Sequence, residues 1–127
     1  MNEDDRREPS AVARRARYRL GRRSEWLAAL LLMAKGYRIV SWRHKTPVGE
    51  IDLIAVRGRR VAFVEVKWRL SLEEAQASIT SRQRERIRRA AELWLGRNAR
   101  YRTHTIGFDL VFVIRGRWPR HLENALV

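Results

Sequence analysis

The chain contains no cysteine. Disulfides, thiolate metal sites and a cysteine nucleophile are thereby excluded, and the absence fits a reducing compartment. Long apolar runs are missing as well. The longest block, WLAALLLMA from Trp26 to Ala34, falls short of the roughly 20 residues that a membrane span needs. It follows a polar start with Glu3, Asp4 and Asp5, unlike a secretory signal peptide. A soluble, cytoplasmic protein with no membrane partner is expected. Histidine is scarce: His44, His104 and His121 have no histidine partner at i+3 or i+4, which argues against a zinc site. No internal repeat or low-complexity segment is visible.

Acids are outnumbered. There are 28 Lys plus Arg against 14 Asp plus Glu, a net charge of +14, and the pI is about 11.6. A surplus this large attracts phosphate, so the first expected partner is nucleic acid, DNA before RNA. The plainer account is that a GC-rich genome enriches arginine and the charge only solubilises. The 127 residues, 45% of them apolar, suffice for one buried core.

Residues 1–20 read as a basic, disordered arm, and residues 21–127 as a single domain. Ser24 is a candidate N-cap for a helix running to about Lys35 and closed by Gly36. That helix is apolar nearly all round, which predicts burial on more than one side. Glu25 falls in its first turn, where the helix dipole alone would explain an acid. Strands are expected over 37–43, 50–56, 61–68 and 103–114. SLEEAQAS reads as a loop or short helical turn. A second helix opens at Thr80 or Ser81 and runs to about Leu95, closed by Gly96, with Ile87, Ala90, Ala91 and Trp94 at helical spacing. The order α-β-β-β-α-β is that of a mixed α/β domain.

The stretch VGEIDLIAVRGRRVAFVEVKW, residues 48–68, carries acids where core strands should be apolar. Side chains alternate along a strand, so Glu50, Asp52, Ile54 and Val56 share one face, and Val61, Phe63, Glu65 and Lys67 another. Gly58 followed by Arg59 suits a two-residue turn with positive φ at its first central position. The register is then Val56 to Val61, Ile54 to Phe63, Asp52 to Glu65 and Glu50 to Lys67. Carboxylates directly opposite each other repel. Either one takes a proton or a cation sits between them, and two hard oxygen donors suit Mg²⁺ or Mn²⁺ better than Zn²⁺. Lys67 could contact a phosphate oxygen or tune the attacking water. The competing arrangement is an ion-pair cluster with Lys67 bridging Glu50 and Glu65.

Asp52, twelve intervening residues and then EVK, with the upstream helical Glu25, resembles the PD-(D/E)XK nuclease superfamily. More narrowly, GEIDLIAVRGRRVAFVEVKWR is similar to the signature stretch of the YraN-like family of small bacterial endonuclease-like proteins. The similarity continues in GYRIVSWR, ITSRQRERIRRAAELWL and FDLVFV and covers about residues 21–125. It implies a restriction-endonuclease-like fold, a mixed β-sheet flanked by helices and related to Holliday-junction resolvases. It implies that Asp52 and Glu65 bind the metal, helped by the Val66 carbonyl, that Lys67 positions or activates water, and that Glu25 lies near the same site. Glu50 matches the family's GEID without a clear role. The chain departs from the family pattern at Gln83, where Lys is frequent, at Ser24, where Gly is usual, and in a short loop after Arg69.

Asp109 shares a face with Gly107, Val111 and Val113 and reads as an acid that is structural or supports the site from behind, a direct catalytic role being the lesser alternative. Arg82, Gln83, Arg86 and Arg89 are the candidate nucleic-acid contacts on the second helix. Trp26, Trp42, Trp68, Trp94 and Trp118 could all stack on bases; Trp94 reads as core, and Trp42 and Trp68 are the better surface candidates. The expected activity is metal-dependent phosphodiester hydrolysis in DNA, branched or structured DNA included. The alternatives are a non-catalytic nucleic-acid-binding module of the same fold and a protein–protein accessory in repair or RNA metabolism. A resolvase acting on both strands would require a dimer.

Overall fold

A computed structural model describes residues 11–127, with side chains from Arg23 onward. The elements are α1 (Ala11–Ala34), β1 (Arg38–Thr46), β2 (Gly49–Arg57), β3 (Arg60–Arg69), α2 (Leu72–Ala77), α3 (Ser81–Arg97), a 3₁₀ turn at Ala99–Tyr101, β4 (Thr105–Ile114) and β5 (Arg120–Leu122). The five strands form one sheet in the order β1-β2-β3-β4-β5. Only β3 and β4 run parallel. The expected mixed α/β architecture, a sheet flanked by helices, is the one observed. Among the described residues no helix is long and apolar enough to cross a membrane.

Alternation along the strands divides the core. Leu53, Ala55, Ala62, Val64 and Val111 face α1, packing on Ala28, Ala29 and Leu32. Ile54, Val56, Val61, Phe63 and Phe112 face α3, packing on Ile87, Ala90, Ala91 and Trp94. Those four α3 residues are the ones its helical spacing singles out. The Phe63 ring meets the Trp94 ring edge-on at 5.7 Å, a geometry that aromatic quadrupoles favour. The result is three layers, helix on sheet on helix.

Three expectations about helix ends and faces need correction. First, α1 does not begin at Ser24. It begins at Ala11, because Ala, Arg and Leu dominate residues 11–23 and all are strong helix formers. Ser24 is a buried interior residue, and Glu25 lies well past the first turn. The arm assigned to residues 1–20 is therefore helical from Ala11, and its first ten residues lie outside the described residues. Second, α1 is not buried on several sides. Trp26, Leu27, Leu30 and Met33 are exposed. Third, Gly96 does not close α3, which continues to Arg97. Its last carbonyls are met by side chains, Asn98 on Trp94 and Arg102 on Leu95 and Gly96, rather than by a glycine turn. Gly36 does close α1. At φ 94° it lets Tyr37 N–H reach the Leu32 carbonyl at 2.9 Å and Gly36 N–H reach Met33 at 3.0 Å, the Schellman arrangement.

One buried ion cluster fastens the start of β3 to the end of the chain. Both terminal guanidinium nitrogens of Arg60 donate to Asp109 at 2.7 Å, His121 Nε2 meets the same carboxylate at 2.7 Å, and Asn124 N–H donates at 2.9 Å. Tyr37 accepts from Arg60, and Lys35 meets the far side of His121. Asp109 is fully buried. Burial opposes its ionisation, but Arg60, His121 and Asn124 outweigh that and hold its carboxyl well below the usual range. Asp109 is thus structural, as expected; His121's part in it is invisible to local spacing.

Gly107 makes room for this cluster. A Cβ there would fall 2.1 Å from an Arg60 nitrogen. Gly107→Ala should therefore expel the guanidinium and leave Asp109 buried without it, costing about 3 kcal/mol or more. Urea titration of Arg60→Ala, Gly107→Ala and the double variant should show strongly non-additive losses. Additive losses would mean that the glycine serves some other purpose.

Candidate functional site

The β2–β3 ladder follows the expected register from Arg57↔Arg60 through Val56↔Val61 and Ile54↔Phe63 to Leu53↔Val64. Gly58 has φ 57° at the first central position of the turn, as a two-residue hairpin requires. Beyond Leu53 the strands part. β3 stays paired with β4, Glu65 beside Leu110 and Lys67 beside Phe112. β2 follows β1, with Ile51 across from His44 and Glu50 across from Lys45. The expected Glu50–Lys67 pair therefore does not form, and Asp52 and Glu65 are not ladder partners.

The fork is held by a side chain. Val66 N–H, which would otherwise serve the ladder, donates to Asp52 Oδ2 at 2.8 Å. This draws the Asp52 carboxyl into the gap, where it and Glu65 feel each other's charge. The two acids are brought together on neighbouring antiparallel strands, as the sequence implied, but by departure from the ladder. Lys67 is 8% exposed, and its Nζ lies 3.3 Å from Glu65 Oε1.

The electrostatics follow from the geometry. Burial first, and the Glu65 carboxylate in the same direction, together push the Asp52 carboxyl up to about 8 against the opposing Val66 N–H. Burial also raises Glu65, with Lys67 pulling against it. Without a bound cation the pair retains a shared proton near neutrality.

Glu25 approaches from α1. It adds to the negative potential at Asp52, but its Oε2 accepts from Arg43 Nε at 2.6 Å. Arg43 has φ 47°, a left-handed conformation that costs a non-glycine residue about 1–2 kcal/mol. It lies just past the irregularity in β1 between Ile39 and Ser41. Nothing in the sequence signals this arginine; neither the bulge nor its conformation has a residue-type signature here.

From the other face, the first turn of α3 closes over the fork. Thr80 and Gln83 form a capping box, Gln83 N–H to the Thr80 hydroxyl at 3.1 Å and Thr80 N–H to the Gln83 amide oxygen at 3.3 Å. Gln83 and Arg86 line one cleft with Glu50 and Glu65. Gly49 lets α3 sit this close, since a Cβ there would come within 3.2 Å of Arg86 Cβ. Arg82 and Arg89 are exposed on the helix exterior, and Arg89 bonds Glu85 at 3.2 Å.

The donor set is two recessed carboxylates beside an ammonium, with the Val66 peptide between them. Such oxygens fit one hard divalent cation. Among the described residues no three His, Cys, Asp or Glu side chains form a ready metal cage, and Glu25 is engaged by Arg43. The tryptophans sort partly as expected. Trp94 is core, Trp42 is exposed, and Trp68 is half-buried. Trp26, not singled out as a surface position, is exposed and packs on Trp42.

The sequence profile described as Uncharacterised protein family UPF0102 matches residues 24–113. A UPF0102 protein of Mesorhizobium japonicum is 55% identical over 117 residues, covering 92% of this chain and 93% of the relative. A UPF0102 protein of Chelativorans sp. is 51% identical, covering 89% and 91%. One from Rhizobium meliloti is 50% identical, covering 83% and 86%.

The carboxyl pair makes stability depend on pH. Asp52 in the folded protein titrates near 8, above the ordinary value of about 3.9. The folded state thus holds a proton that the unfolded chain has released. The stability associated with that proton is full below pH ~4 and is lost as pH rises through about 8. Asparagine at position 52 keeps an oxygen for Val66 and carries no charge. In metal-free buffer at pH 8–9, Asp52→Asn should be more stable than the parent by on the order of 1 kcal/mol or more, the gap shrinking toward pH 4. Urea midpoints across that range would show it; parallel pH profiles would contradict the coupling.

Proposed function

The chain belongs to the uncharacterised protein family UPF0102, and from that premise we propose that it is a metal-dependent phosphodiesterase that hydrolyses DNA, branched or structured DNA included. One observation carries the reading. Asp52 is drawn by the Val66 N–H into the fork, where the Glu65 charge acts on it, in a chain of net charge +14. Two acids in the path of a polyanion repel both each other and the substrate. A divalent cation offsets both repulsions.

Asp52, Glu65 and the Val66 carbonyl would hold Mg²⁺ or Mn²⁺, which when bound supplies Lewis-acid polarisation of the scissile phosphate. Lys67 places a positive charge beside Glu65, where it can position the attacking water and offset charge developing on the phosphate oxygens. Glu25, tied to Arg43, adds negative potential at Asp52 and so strengthens its hold on a cation. Arg82, Gln83, Arg86 and Arg89 present α3 to the phosphate backbone, Arg86 and Gln83 from inside the cleft and Arg82 and Arg89 from its exterior. DNA is the favoured substrate and RNA the other candidate. Cleavage of both strands of a junction would call for a dimer. A cytoplasmic setting is part of this reading, consistent with the lack of cysteine.

A non-catalytic nucleic-acid-binding module is the second reading, favoured by the engagement of Glu25 with Arg43 instead of with a shared metal cage. Lys67→Ala separates the two. It removes one positive charge of 28, so binding should weaken by about one counterion in the salt slope. Cleavage in Mn²⁺ or Mg²⁺ should fall ~10²–10³-fold. A screen over duplex, single-stranded, flap and four-way substrates that yields no metal-dependent cleavage by the parent would favour the binding module.

Metal and phosphate contacts have separate readouts. Calorimetry should detect Mn²⁺ binding that both Asp52→Asn and Glu65→Gln abolish; binding that survives both places the ion elsewhere. Alanine at Arg82, Arg86 and Arg89 together should flatten log affinity against log salt by about two to three counterions. An unchanged slope would clear α3 of phosphate contact.

A further inference from the structure

Beside the fork, on the α1 side of the sheet, two large aromatic surfaces face outward. Trp26 is 58% exposed and Trp42 40%. Their ring centroids are 4.9 Å apart and their planes inclined by 48°. They line one open cleft with Glu25 and Arg43. Their position follows from chain geometry. Trp42 pairs with Leu53 across the β1–β2 ladder, and Leu53 adjoins Asp52. Trp26 adjoins Glu25, whose charge reaches Asp52. Leu53 and Asp52 project to opposite faces of β2, so the aromatic pair lies on the α1 side of the sheet and is tied to the carboxyl pair through Glu25, which shares its cleft and whose charge reaches Asp52.

Exposing two indoles side by side gives up burial that each would otherwise gain. The sheet face beneath is already covered by Ala28, Ala29 and Leu32 of the same helix, so packing does not require them. Within a duplex, bases present only their edges to a protein. A base offers its flat face only where it is unpaired, flipped or at a branch. We propose that Trp26 and Trp42 form a stacking platform for an unpaired base in the cleft beside Glu25, so that the substrate is single-stranded or locally unpaired nucleic acid. It concerns the substrate of the nuclease reading, but the binding itself does not require that the nucleic acid be cleaved. Charge points to this occupant. A chain of net charge +14 draws a phosphate backbone to the fork, and the tilted rings can engage a base without regard to its identity. Trp26 continues into an apolar stripe with Leu30 and Met33, which lies farther along α1 and is not needed for one base.

The test is binding in EDTA, so that no cleavage is required. Labelled oligonucleotides of one length are compared as single strand, as duplex and as duplex with a short flap. The parent should bind single strand and flap about tenfold or more tighter than duplex, with quenching of tryptophan fluorescence. Trp26→Leu with Trp42→Leu should erase most of that preference while leaving duplex affinity and thermal stability near parental. Trp26→Phe with Trp42→Phe keeps the π faces and should retain much of it, which an apolar contact without stacking would not distinguish. Equal parental affinity for single strand and duplex overturns the proposal, as does a preference that survives both leucines. It is also overturned if sedimentation shows the leucine variants dissociating a dimer with oligonucleotide affinity unchanged. Cleavage in Mn²⁺ is scored separately. Its absence on every substrate, with the binding preference intact, would sink the nuclease reading and leave the platform standing.

Discussion

The hydrogen bond from Val66 N–H to the Asp52 carboxyl sets the shape of the forked end of the sheet. A backbone donor inside a sheet must be satisfied. When a side chain takes it, the neighbouring strand is released from the ladder at that point. β2 then turns away with β1 while β3 continues beside β4. The opening between them lets the Glu25 charge reach Asp52 from one helix layer, while Gln83 and Arg86 line a cleft with Glu65 from the other. Repairing the ladder would close the gap that brings them together.

A fork at one end of a small sheet needs an anchor elsewhere. Arg60 opens β3, at the end of the strand away from Glu65, and binds Asp109 of the parallel neighbour β4. His121 and Asn124 add the chain's last segment to the same carboxylate. The contrast between the two acids is chemical. Asp109 is buried among donors and is held ionised. Asp52 is recessed beside another carboxyl with one backbone donor and is pushed toward its neutral form. Buried acids surrounded by donors serve structure, whereas an acid poised against a second acid retains a demand for a proton or a cation.

Much of this was legible in the residues, for identifiable reasons. The hairpin register could be read because Gly58 fixes the turn and apolar residues match across it through Leu53. The core face of α3 could be read because Ile87, Ala90, Ala91 and Trp94 recur at helical spacing. The register failed past Leu53, since no residue pattern says that a carboxylate will capture a ladder amide. The start of α1 was misplaced at Ser24 because a good capping residue also fits a helix interior when the preceding residues favour helix. The Arg60–Asp109–His121 cluster joins residues 49 and 12 positions apart, beyond the reach of local spacing. Arg43 was hidden because its role depends on a backbone irregularity.

The extension of α1 changes what its apolar residues mean. A helix beginning at Ser24 would be short, and its apolar surface would have to be core. The observed helix spans 24 residues and is seated by small side chains, Ala28 and Ala29, with Leu32 beside them. Small residues at the contact bring the helix axis close to the sheet, which directs the neighbouring large residues outward and sideways. Trp26 is turned in this way onto the rim of the fork, where Trp42 on the edge strand meets it. The contact that seats α1 therefore determines both how near Glu25 comes to Asp52 and how the indoles stand beside it. Enlarging either alanine would lift the helix and displace acid and aromatic together, so the electrostatics of the carboxyl pair and the aromatic rim are coupled through one packing contact.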